Sequence, residues 1–118
     1  MRRFVLVASF IAVSLVTQAR AGENQLTLIS DKLFKDSFGF VNQTLSVKNN
    51  TGLTIEDVDL ECGFLLDKQL MATGINHLKN LKPGETAHIT VIARLINNPD
   101  HADCRAFSGR TSLGKLQV

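Results

Sequence analysis

The stretch from Val58 to Leu66 restricts the fold more than any other. Val58, Leu60, Cys62, Phe64 and Leu66 take every second position, and Asp57, Asp59 and Glu61 fall between them. Successive side chains of a strand point to opposite faces, so this pattern describes a half-buried β-strand with an acidic outer side. Thr86 to Leu95 repeats it. Ala87, Ile89, Val91, Ala93 and Leu95 share one parity, while His88, Thr90, Ile92 and Arg94 share the other. Ahead of this run stands Lys82-Pro83-Gly84-Glu85. Pro83 fixes φ at the second turn position, and Gly84 tolerates the positive φ that a type II turn needs at the third. The turn delivers the second long strand, and its role is architectural.

Shorter alternations fill the remainder. Leu26 to Ile29 reads as a strand. Thr44 to Lys48 carries Leu45 and Val47 on one face and closes on Asn49-Asn50-Thr51-Gly52. Asp31 to Phe38 fits either a short helical turn or an extended link. Asp67-Lys68-Gln69 reads as a hairpin connection into a short strand around Leu70 to Thr73. Asn97-Asn98-Pro99-Asp100 is a loop, and Ala102, Cys104 and Ala106 alternate again. Arg110 to Val118 is an edge strand or a tail. Short strands at regular spacing with turn signals between them predict an all-β, immunoglobulin-like antiparallel sandwich of about six or seven strands.

The N-terminus carries a different signal. Met1-Arg2-Arg3 is positive, Phe4 to Val16 is uncharged and apolar, and Ala19-Arg20-Ala21 resembles a cleavage site. These are the three parts of a secretory leader, and the apolar stretch is short for a membrane span. The expected organisation is a signal peptide over residues 1–21 and one domain over 22–118. The alternative is a leader retained as an anchor. Removing 21 of the 118 residues leaves 97, enough for a single modest core. Removal also takes three of the 13 basic residues, leaving 10 against 11 acidic ones. A near-neutral domain offers no electrostatic footprint for nucleic acid or for an anionic membrane. Cys62 and Cys104 are the only cysteines, and an even pair in an exported chain is expected to form a disulfide. A sandwich can bring their two strands face to face.

Val47-Lys48-Asn49-Asn50-Thr51-Gly52, then Val58 to Asp67, then Leu81-Lys82-Pro83-Gly84-Glu85 together resemble the FxLYD-type domain family. These are small immunoglobulin-like β-sandwich domains of bacterial exported and envelope proteins. The order and spacing match over roughly half of the mature chain. The eponymous segment is Gly63-Phe64-Leu65-Leu66-Asp67, with Gly in place of the family's Phe and Leu in place of its Tyr. The resemblance implies a sandwich fold and a structural or interaction module, with no catalytic residues.

The residue chemistry points the same way. His77, His88 and His101, with Met71, lie on separate elements without ligand spacing, so neither copper nor zinc has a ready site. Asp57, Asp59 and Glu61 stand about 7 Å apart along their strand. That suits an inverting glycosidase pair, but such pairs need one buried carboxyl, and these face water. Gly109-Arg110-Thr111-Ser112-Leu113-Gly114 misses the nucleophile-elbow spacing by one residue and lacks its α/β context. Asn42-Gln43-Thr44 and Asn49-Asn50-Thr51 match a glycosylation acceptor at a frequency expected of an Asn-rich chain.

The expectation is therefore a periplasmic or secreted, non-catalytic module without a cofactor. It binds another envelope or secreted protein and has no stable membrane insertion once the leader is removed. A metal-delivery domain is the alternative and a small hydrolase the third reading. The expected interaction surface pairs acidic Asp57, Asp59 and Glu61 with basic Arg105 and Arg110, on patches that steer association or pair within one molecule or between copies. Near-zero net charge leaves homo-oligomers open. The exported protein is predicted to begin at Gly22. Its intact mass checks this, and a retained segment 1–21 contradicts it.

Overall fold

The computed structural model describes residues 24–117. The leader expected over residues 1–21 lies outside them. Seven strands follow in order: β1 (Leu26–Lys35), β2 (Phe40–Asn49), β3 (Ile55–Leu66), β4 (Gln69–Leu81), β5 (Thr86–Arg94), β6 (His101–Ser108) and β7 (Thr111–Lys115). They form two antiparallel sheets, a three-stranded one ordered β1-β2-β5 and a four-stranded one ordered β4-β3-β6-β7. The expected all-β sandwich is the observed one. In immunoglobulin constant domains the fourth strand joins the sheet of the first two. Here β4 stays in its hairpin beside β3.

The alternating residues bury as their parity requires. Val58, Leu60, Cys62 and Phe64 of β3 meet Leu45, Val47 and Val91 of the facing sheet in one core, closed by Leu26, Leu28, Ala102, Cys104, Ala106 and Leu113. Three elements differ from the sequence expectation. β4 is 13 residues long, where a short strand around Leu70 to Thr73 was expected. Its next inward positions after Ala72 are Gly74 and Asn76, which interrupt the apolar alternation before it resumes at Leu78. β1 continues through the ambiguous stretch to Lys35, with a register shift between Ser30 and Lys32. That bulge interrupts the period of two. β2 begins at Phe40, four residues before the expected strand.

Cys62 and Cys104 form the expected disulfide. Its geometry differs from the expectation of facing strands. The two cysteines are register partners on neighbouring strands β3 and β6 of one sheet, 4.1 Å apart at Cα. So close a spacing marks the narrow, non-hydrogen-bonded kind of antiparallel pair. With a sequence separation of 42, the cross-link stabilises by about 4 kcal/mol on the chain-entropy relation.

Small residues set how the sheets meet. Gly74 is the register partner of Cys62 on its other side. A Cβ there would stand 2.5 Å from Ile92 O and 2.9 Å from Val91 Cγ1, so β4 lies directly against β5. Asn76 donates from Nδ2 to Thr90 O (2.8 Å) along the same seam. At the opposite seam a Cβ on Gly114 would stand 2.5 Å from Leu26 O. There Leu116 makes a parallel bridge with Leu28.

Pro83-Gly84 forms the expected turn. Gly84 has φ +73°, and Glu85 N–H donates to Lys82 O (3.0 Å). The turn carries the chain from one sheet to the other, and Asn49 holds it. Gly84 N–H donates to Asn49 O (2.9 Å), and Asn49 N–H donates to Glu85 O (3.0 Å). The fully buried Asn49 side chain donates to Leu53 O and Leu81 O, and its Oδ1 accepts from Thr51 N–H and Oγ1.

Two outcomes follow from this junction. Gly84→Val is expected to cost more stability than Pro83→Ala in chemical denaturation, because a β-branched residue at positive φ is strained while losing Pro mainly frees the unfolded chain. The reverse order contradicts the type II geometry. Asn49→Leu is expected to cost about 1–3 kcal/mol, since it leaves the buried Leu81 O unpaired and takes a partner from Leu53 O and Thr51 N–H. A loss under about 0.5 kcal/mol, the usual range for surface substitutions, contradicts the junction's role.

Candidate functional site

The outer face of the four-stranded sheet holds most of the residues expected at an interaction surface. Asp57, Asp59 and Glu61 line β3. Glu61 is the register partner of Arg105 on β6 and of Ile75 on β4. Arg110 does not join them, because it lies in the turn after Ser108 that links β6 to β7. The expected opposed patches are thus one mixed-charge face. Two of its acids already have partners on β4. Asp57 pairs with Lys79, and Asp59 Oδ1 lies 2.6 Å from His77 Nδ1. The hydrogen bond that Lys79 donates to Asp57, with the charge of that carboxylate, holds the Lys79 ammonium above its ordinary pKa. The sequence concealed these pairs because they depend on the register of a strand expected to end at Thr73.

The three histidines stay apart. His77 sits on this face. His88 lies on the outer face of the other sheet, 3.2 Å from Ser46 Oγ, and His101 opens β6. No group of three His, Cys, Asp or Glu side chains suited to a metal occurs among the described residues.

A second feature lies at the edge of the four-stranded sheet. β7 pairs only with Arg105 to Ser108 of β6. Beyond it Leu116 N–H donates to Cys104 O (2.8 Å) and Gln117 N–H to Leu28 O (3.0 Å). From there to His101 no described strand lies on the outer side of β6. Ala102 and Phe64 are two register steps from the narrow Cys62–Cys104 pair, so they form the same kind of pair. The N–H and C=O of Ala102 therefore point away from β3. They point into a cleft of about 260 Å³ lined by Ser30, Leu33 and Gln43 on one side and His101, Ala102 and Leu116 on the other. Gln43 is buried there. Its Nε2 lies 2.7 Å from Ser30 Oγ and 3.2 Å from Lys32 O, which ties down the β1 bulge. Parity alone would have made Gln43 a core residue, and only the neighbouring bulge explains a polar side chain there.

A third feature is the β1–β2 turn. Asp36 Oδ1 accepts from Phe38 N–H (2.9 Å) and Phe40 N–H (3.0 Å), and Oδ2 accepts from Asn42 Nδ2 (3.3 Å). These bonds, the one from Phe40 foremost, hold the Asp36 carboxyl below its ordinary pKa. Phe38, at the turn's tip, is 82% exposed.

No family model matches the chain, and no curated protein matches it. Solved structures do resemble it. IrmA from Escherichia coli aligns over 81% of this chain and 87% of its own, with TM-score 0.57 and 7% identity. The ligand-binding region of serine-glutamate repeat protein A of Enterococcus faecium aligns over 76% of this chain and 88% of its own, with TM-score 0.47 and 21% identity. The β-glucosidase DesR of Streptomyces venezuelae aligns over 79% of this chain but 14% of its own, with TM-score 0.47 and 17% identity. The likeness to IrmA defines the class by fold, a small β-sandwich, and goes no further.

The Asp36 geometry fixes a pH dependence. A carboxyl whose folded pKa is depressed contributes stability fully above its unfolded pKa, about 3.9, and loses it as pH falls through the lower folded value. Asp36→Ala is expected to destabilise at pH 7. The difference from the parent protein should shrink as denaturation is repeated below about pH 4. A difference that grows on acidification contradicts the assignment.

Proposed function

We propose that the mature domain is a non-catalytic binding module, periplasmic or secreted, whose partner is another envelope or secreted protein that adds a strand to β6. One observation carries this reading: the outward N–H and C=O of Ala102 face a cleft in which no described strand pairs with them. Added strands bind through such main-chain groups, and pockets beside them select alternate side chains. Leu33, Ala102 and Leu116 supply an apolar pocket, and Asp100, His101 and Asp103 supply polar groups at its mouth. The fully buried disulfide and the three-part leader support an exported setting. No helix among the described residues is long and apolar enough to cross a membrane. The FxLYD resemblance supports an interaction role.

The mixed-charge face is a weaker candidate, since Lys79 and His77 already engage two of its acids. Neutralising Asp57 and Asp59 should therefore affect partner capture less than blocking the cleft.

The test blocks the edge alone. Ala102→Pro removes an N–H that does not pair with β3, a change edge strands tolerate. Leu33→Glu places a charge in the cleft from the other sheet. Crosslinking in the native compartment should recover a reproducible protein partner. Either variant should reduce its capture about tenfold, equivalent to about 1.4 kcal/mol, with the disulfide intact and the melting temperature close to the parent's. Undiminished capture in both variants contradicts strand addition. A saturable thermal shift with copper or zinc and no captured partner would move the reading to metal delivery.

A further inference from the structure

One end of the three-stranded sheet exposes apolar side chains that the fold does not use. The β1–β2 turn and the 95–100 segment meet there. Leu95 N–H donates to Gly39 O (3.4 Å), and Lys35 Nζ donates to Ile96 O (2.6 Å). With the Asp36 bonds inside the turn, these contacts brace both tips. Yet Phe38 is 82% exposed and Ile96 92% exposed. A braced turn that serves only to reverse the chain is best filled by small polar residues. Below the tips, Phe34 and Ile92 flank Asn42 in register, and this outward-facing amide is only 7% exposed. Phe40, also part-exposed, completes one continuous apolar end.

Cations collar this end. Lys32 Nζ lies 4.8 Å from the Phe34 ring centroid, and Arg94 is the register partner of Phe40. Lys35 keeps two N–H groups beyond its bond to Ile96. The two nearby acids keep their charges but are outnumbered by these three cations. Asp36 accepts from two backbone N–H groups, and Asp100 Oδ2 accepts from Asp67 N–H (3.3 Å). The near-neutral charge of the whole domain averages over this local surplus. An apolar wedge inside a ring of cations has the chemistry of an interfacial membrane contact, where apolar groups enter the headgroup–acyl boundary and cations meet anionic lipid.

We propose that this end docks on an anionic phospholipid surface, with Phe38 and Ile96 entering the interface and Lys32, Lys35 and Arg94 meeting the headgroup phosphates. The contact is peripheral and reversible. It is independent of the β6 cleft. A membrane is favoured over a second protein because the two most exposed groups stand on loop tips at the sheet's end, where they can enter a soft surface without a matching groove.

The chain contains no Trp and no Tyr, so Phe38→Trp places a single reporter at the tip. The purified exported Phe38→Trp protein is titrated with mixed phosphatidylglycerol–phosphatidylcholine vesicles and with pure phosphatidylcholine vesicles. The expected result is a saturable blue shift with the mixed vesicles. Partitioning should be at least about tenfold weaker with pure phosphatidylcholine, and about tenfold weaker near 1 M salt, where the screening length falls to roughly 3 Å. Adding Ile96→Ser to the reporter protein should also weaken partitioning about tenfold, at an unchanged melting temperature. No shift with mixed vesicles overturns the proposal, as does equal partitioning to both compositions. A blue shift on concentrating the protein without vesicles overturns it in favour of a contact between copies.

Discussion

The buried amide of Asn49 is the interaction on which the arrangement of the two sheets depends. It ends β2 in one sheet, and its Nδ2 donates to Leu81 O at the end of β4 in the other. Its backbone holds Gly84 and Glu85 of the turn that leads into β5. Four side-chain hydrogen bonds and two main-chain ones converge on a single fully buried residue. A buried polar group left unpaired costs about 1–3 kcal/mol, so this set has to be nearly complete to be worth burying. It is also where Val47 to Gly52 meets Leu81 to Glu85, two sequence segments about 30 residues apart.

From that junction the sandwich closes at both seams and stays open over one stretch. Gly74 brings β4 against β5, and Gly114 brings β7 against β1. Past Leu116 the described seam continues only through the Gln117 N–H bond to Leu28 O, and β6 from His101 to Asp103 has no described strand on its outer side. An edge with no outer partner is ordinarily weakly held. Here the Cys62–Cys104 bond fixes β6 to β3 two residues from Ala102. The cross-link therefore keeps the edge in place as well as stabilising the domain.

The strands that pack large apolar residues on one side could be read from the sequence. Val58 to Leu66 and Thr86 to Leu95 declare their faces by parity alone. β4 could be read only at its start, Leu70 to Thr73, because contact with β5 requires Gly74 and Asn76 where an apolar pattern would have signalled a longer strand. Its hairpin was read at Asp67-Lys68-Gln69, although Asp67 and Lys68 take positive φ (50° and 68°) without the Asn-Gly or Asp-Gly pair that usually announces such a turn. Missing β4 beyond Thr73 hid the partners of Asp57 and Asp59, so the acidic row looked freer than it is. The Cys62–Cys104 pairing followed from count and compartment, but its place within one sheet depended on a β3–β6 register that no local signal carries. The cleft was least legible of all. It arises from how short β7 is relative to β6, a mismatch between distant segments.

Amide hydrogen exchange tests this account at its centre, the contrast between a pinned junction and an open edge. Asn49 and Gly84 N–H donate across the junction, and Asp103 N–H points to Gly63 on β3, so all three should exchange slowly. Ala102 N–H points into the cleft and should exchange much faster than Asp103 beside it. Protection of Ala102 equal to that of Asp103 would mean the edge is already paired, and rapid exchange at Asn49 and Gly84 would mean the junction does not hold the sheets together.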